Sequence, residues 1–80
     1  MTKYPTLMEA IPFDDYRISL TYSNNEQRVY DFTLNLDHKF YNSLSDLKLF
    51  KSVKVVDGEL IWITGQDFRP NTLYEQSVPV

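Results

Sequence analysis

The chain of 80 residues contains no cysteine, two glycines and one histidine. The missing cysteine excludes disulfides, thiolate chemistry and Cys-type zinc or iron–sulfur sites. Two glycines are too few for a phosphate-cradling loop or a dinucleotide fingerprint, and no G-x-S-x-G is present. Basic excess is also missing. The net charge is −3, and Lys3, Arg17, Arg28, Lys39, Lys48, Lys51, Lys54 and Arg69 are scattered. Only Lys48, Lys51 and Lys54 cluster, between Asp46 and Asp57. Nucleic-acid binding needs a concentrated basic footprint, so direct binding is not expected. The three lysines read as the solvated face of a helix. No run approaches the ~20 apolar residues of a membrane span, and the start lacks a signal-peptide core. A cytoplasmic protein is expected.

What the chain does have is aromatic mass: five Phe, six Tyr and one Trp, 15% of residues. Aromatic side chains bury the most area per residue, which a core without disulfides needs at this length. One domain spanning 1–80 is expected, with the marginal stability of its size.

The pattern of residues gives the elements. Tyr16, Ile18, Leu20 and Tyr22 alternate with Arg17, Ser19 and Thr21, the period of a half-buried strand. Asn24-Asn25 marks a turn, and "QRVYDFTL" resumes an extended run with Val29, Phe32 and Leu34 as core candidates. The phase changes between Val29 and Phe32, which suggests a bulge or a change of face. "TLMEAIPF" before this hairpin reads as a third strand, with Pro12 at its end or on a sheet edge. Phe40, Leu44, Leu47 and Phe50 recur at helical steps, so one or two short helices are expected between Lys39 and Lys51, with Ser45 as a candidate N-cap. Asp57-Gly58 between alternating apolar runs predicts a second hairpin closed by a type I′ turn. Pro70 opens a last helix carrying Leu73 and Tyr74. The fold class is α+β: a small, mostly antiparallel sheet in the order β-β-β-α-β-β-α, with short helices on one face.

Candidates for chemistry are few. His38 in "LDHKF" is a possible base beside Asp37, or a solvated loop residue. It lacks companions at metal-ligand spacing. Asp14-Asp15 is a carboxylate pair, or simply the turn before the Tyr16 strand. No cofactor or metal site is expected. The richest segment is "LIWITGQDFRPNTLYEQS", where Trp62, Asp67, Arg69 and Tyr74 have the residue types of an interaction hot spot. The structural alternative sends Trp62 into the core, lets Gly65 make a turn, has Asp67 accept backbone N–H bonds in an Asx turn, and lays Leu73 and Tyr74 over the indole. Arg69 is open to either role.

On "YRISLTY", "RVYDF", "FYNSLSD", "FKSVKVVDGELIW" and the closing Gly65, Asp67, Phe68, Pro70, Leu73, Tyr74 and Glu75, the chain resembles the small bacterial and phage-associated family named domain of unknown function 2442. The resemblance covers roughly residues 7–77. It departs from the family pattern at Asn25, where the family has a turn glycine, and at Ile63, where it has a proline. It implies a small α+β domain without established enzymatic activity. Some members are proposed as antitoxins encoded beside a small partner, and others are fused to helix-turn-helix domains. The expected function is therefore a non-enzymatic protein-interaction module, antitoxin-like, that sequesters a protein partner such as a toxin encoded nearby. The alternative is a small-ligand-sensing or regulatory domain acting with a separate DNA-binding chain.

Overall fold

A computed structural model describes residues 4–80. The first half is a meander of three strands, β1 (Leu7–Pro12), β2 (Arg17–Tyr22) and β3 (Gln27–Asp31). A 3-10 turn at Phe32–Asn35, a second at Asn42–Ser45 and the single-turn helix α1 (Leu47–Phe50) follow. The hairpin β4 (Lys54–Val56) and β5 (Glu59–Ile61) leads to β6 (Asp67–Phe68), helix α2 (Pro70–Gln76) and β7 (Val78–Pro79). The α+β class, the order of the longer elements and the antiparallel pairing match the expectation.

The expected single sheet is two. One has the order β1-β2-β3-β7, the other β4-β5-β6. Strands β6 and β7 have two residues each, too short for a period, and therefore left no pattern to read. Leu34 is a second correction. The strand ends at Asp31, whose side chain caps the following 3-10 turn by accepting from Thr33 N, and Leu34 turns outward to 72% exposure. Ser45 does not cap α1 either. Asp46 does, accepting from Lys48 N, and its charge lies at the positive end of the turn.

Three hairpins close with the same device, a three-residue loop whose last residue is left-handed. Phe13 N donates to Arg17 O at 2.8 Å, Tyr22 N to Glu26 O at 2.9 Å and Trp62 N to Gln66 O at 2.9 Å. The left-handed residues are Tyr16 (φ 68), Asn25 (φ 69) and Gly65 (φ 89). Asn and Gly tolerate this region, but a bulky tyrosine does not. Tyr16 therefore starts no alternating face; it sits in the turn. Its strain is offset by tertiary contacts: the ring packs on Phe50 with centroids 5.1 Å apart, and the hydroxyl donates to the Ser45 carbonyl. The Asp57-Gly58 turn has positive φ at both residues, as type I′ requires.

The core runs between the sheets. Ile18, Leu20, Tyr22 and Tyr30 from the first sheet meet Leu60, Trp62 and Phe68 from the second, with Phe32, Leu44, Phe50 and Leu73 from the connections. The two turn glycines differ in surroundings. A methyl at Gly65 would meet nothing within 4 Å, whereas one at Gly58 would lie 3.3 Å from Thr6 Cγ2. Gly65→Ala is expected to cost the left-handed strain alone, roughly 1–2 kcal/mol, and Gly58→Ala more. Chemical denaturation of both variants checks this, and equal costs would show that the Thr6 contact relaxes freely.

Candidate functional site

The structure divides the four residues of the closing motif. Trp62 is 2% exposed, and its indole N–H donates to Phe50 O at 3.0 Å. Its ring meets Phe32 at 5.1 Å between centroids, so the only tryptophan is spent on the core. Asp67 is exposed in β6. It accepts from the Tyr41 hydroxyl through its backbone carbonyl, at 2.8 Å, and its carboxylate makes no Asx turn. Arg69 is exposed and precedes Pro70, the first residue of α2. Tyr74 does not cover the indole. Its ring packs against Tyr22 (5.0 Å, edge-on) and Tyr4 (5.1 Å).

Tyr74 instead belongs to a polar cluster that joins the end of α2 to the first sheet. Arg28 lies opposite Leu20 on the core-facing side of β3, with a side chain 13% exposed. Its Nε donates to Ser77 Oγ at 2.6 Å, one Nη to Ser77 O at 2.8 Å and the other to Glu26 Oε2 at 2.7 Å. The guanidinium also lies 4.4 Å from the Tyr74 ring centroid. A half-buried cation is tolerated only when its donors are satisfied in this way. The Tyr74 hydroxyl donates to Glu26 at 2.7 Å. Hydrogen bonds from Tyr74, Asn24 and Arg28 hold the Glu26 carboxyl down at about 2. Beside it the Tyr22 hydroxyl is buried without a partner among the described residues, and burial pushes it up to about 12. The guanidinium, the Glu26 carboxylate and the Tyr74 hydroxyl are engaged with one another and with Ser77, so the cluster works as a clasp between α2 and the first sheet.

The other candidates are tied to surface roles. His38 is exposed, and its Nδ1 accepts from Phe40 N at 3.2 Å. Asp14 pairs with Lys51, and Asp15 with Arg17. Lys48 is exposed on α1, but α1 ends at Phe50 and Lys54 is an exposed residue of β4, so the three lysines do not share one helix face. Among the described residues no group of His, Asp and Glu is arranged to hold a metal ion, and no helix is long and apolar enough to cross a membrane.

The solvent side of the four-stranded sheet was not visible from the sequence, because it depends on register. Ile11 pairs with Ser19, Ser19 with Val29 and Val29 with Val78, so these four form one row across every strand. Ile11 is 49% exposed and Val78 65%. Arg17 and Asp31 face each other in the row on one side; Glu9, Thr21 and Gln27 make the row on the other. A hollow of about 440 Å³ opens at one corner, lined by Val29, Leu34, Val78 and Val80 with Arg17 and Asp31 at its rim. This is an apolar strip with a polar border, the layout of a protein interface. Both edges of the sheet are blunted by proline. The bond from Phe13 N to Arg17 O places Pro12 at a position whose backbone nitrogen points away from β2. The bond from Val80 N to Gln27 O does the same for Pro79 relative to β3. Neither outward position has an N–H to offer an added strand.

The lowered carboxyl of Glu26 makes the clasp sensitive to acid. The folded group titrates below its unfolded value of 4.5, so its contribution is complete above about 4.5 and is lost as pH falls through about 2. Glu26→Gln is expected to flatten the fall in melting temperature across this window, leaving the remaining carboxylates to set the slope. An unchanged slope would show that Glu26 is not held by the clasp.

No curated protein and no solved structure matches the chain. The family model described as "Protein of unknown function (DUF2442)" matches residues 7–79. That span takes in both sheets, the aromatic core and the clasp, and the chain belongs to this family.

Proposed function

We propose that this domain is a non-enzymatic protein-interaction module that receives its partner face-on, against the solvent side of the four-stranded sheet. The observation that carries this reading is the Ile11–Ser19–Val29–Val78 row, apolar at three of four positions and bordered by charge, on a sheet with a proline at an outward position of each edge strand. A solvated sheet face ordinarily alternates to polar residues. Here the outward positions keep aliphatic side chains that contribute nothing to the core.

The finer form of the proposal is antitoxin-like sequestration of a partner encoded nearby, which the family resemblance suggests. The net charge of −3 suits a basic partner. A ligand pocket at Trp62 has less support, whereas the hollow of about 440 Å³ on the outer face is within the size range of small-molecule sites. The groove beside Trp62, lined by Ser52, Lys54, Val56, Ile61 and Ile63, holds about 210 Å³, below the roughly 300–1,000 Å³ of small-molecule sites.

Co-expression with the product of the neighbouring gene tests the reading. The wild-type domain is expected to co-purify with it and to rescue growth if the product is toxic. Val29→Lys, whose side chain faces solvent in the monomer, is expected to abolish both while leaving the melting temperature within a few degrees. Co-purification that survives Val29→Lys would move the interface elsewhere.

A further inference from the structure

The outer face has a symmetry that identifies an occupant. Consider a two-fold axis running between β2 and β3, parallel to the strands and just above the sheet. It lays β2 of one molecule over β3 of another, and β1 over β7. The register then fixes every meeting. Arg17 comes over Asp31 of the second copy and Asp31 over its Arg17, giving two equivalent ion pairs. Ile11 comes over Val78 and Ser19 over Val29, each twice. Thr21 comes over Gln27. Like charge meets like charge nowhere in these rows.

The charged groups have free valences for such a contact. Arg17 uses its Nε and backbone N–H on Asp15, and its two terminal nitrogens have no partner among the described residues. Asp31 takes both Thr33 bonds on Oδ1, leaving Oδ2 without one. The two residues face each other across the strands, yet form no ion pair within the molecule. Resting on the interaction reading above, we propose that the outer face of the four-stranded sheet is self-complementary, and that its occupant is a second copy of this chain packed sheet on sheet.

Two sheets packed in this way keep their strands within about 30° and interleave their side chains. The interface is isologous, as a two-fold requires. Its size sets its strength. Four strands about 4.8 Å apart and five residues of about 3.4 Å cover roughly 300 Å² in projection. A standard interface buries about 800 Å² per partner. The dimer is therefore a concentration-dependent one, not an obligate one.

Sedimentation velocity between about 10 µM and about 1 mM tests this, in the range of weak, transient contacts. The wild type is expected to shift from monomer toward dimer. Arg17→Asp and Asp31→Arg each bring like charges together and are expected to weaken self-association about 10-fold or more. Mixed in equal amounts, the two variants regain both ion pairs, because each supplies the charge that the other lacks. Their mixture is expected to dimerise like the wild type. A general effect on folding would not reproduce this recovery. Since Asp31 also caps a 3-10 turn, Asp31→Asn, which keeps the cap, and Ile11→Lys, at the far end of the row, serve if Asp31→Arg fails to fold. Each is expected to weaken the dimer, and unchanged association would overturn the proposal. So would a wild type that stays monomeric at about 1 mM, or a mixture of folded single variants that does not associate. A domain that is monomeric alone but still co-purifies with a neighbour through Val29 would overturn self-pairing and leave the interaction reading standing.

Discussion

Phe32 is the residue on which the two sheets depend. It follows the last residue of β3, is fully buried, and has its ring centroid 5.1 Å from Trp62, 5.4 Å from Tyr41, 5.6 Å from Phe50 and 6.0 Å from Phe68. Trp62 and Phe68 follow or lie in strands of the second sheet, Phe50 ends α1, and Tyr41 precedes the second 3-10 turn. One side chain, just past the first sheet, thus meets rings from the second sheet, from α1 and from the segment between them. The second sheet is not self-sufficient: β4, β5 and β6 have three, three and two residues, below what an independent sheet needs. With no disulfide, the shared core couples the two sheets, through the rings around Phe32 and through Tyr30 of β3, whose ring lies 5.3 Å from that of Phe68 in β6. The backbone is set up for this. Phe32 N donates to Tyr16 O at 2.9 Å, and Asp31 caps the turn that begins at Phe32.

The clasp and the outer face follow from that arrangement. Once the second sheet is docked, α2 lies with its end beside β3, and Arg28 reaches Ser77, Glu26 and Tyr74 from the core side. The clasp places β7 against β3, and β7 extends the apolar row by Val78. The apolar row is therefore a product of the whole chain: its first residue, Ile11, and its last, Val78, come from opposite ends.

The sequence was most informative where a rule is local. Alternation located β2, Asp57-Gly58 located the second hairpin, and Pro70 located the start of α2, because each depends on neighbours within a few residues. Leu34 misled because the alternating count was carried past Asp31, where the chain turns. Ser45 and Asp46 are both able to cap; only the backbone path decides between them. No bulge or change of face separates Val29 from Phe32: β3 alternates regularly, with Tyr30 and Phe32 inward and Val29, expected in the core, outward. For the closing motif, the structural reading fits Trp62 and Gly65. Tyr74 was placed with the wrong partner, since its contacts with Glu26 and Arg28 span more than forty residues and leave no local trace. The outer row needed the register of β7, a strand too short to read.

Native-state hydrogen exchange of a Phe32→Leu variant tests the central coupling most directly. Loss of the ring is expected to cost about 1–3 kcal/mol. If Phe32 joins the sheets into one cooperative unit, the most protected amides of β2 and β3 and those of β5 lose protection by the same amount. A loss confined to one sheet, with the other exchanging as in the wild type, would contradict the account.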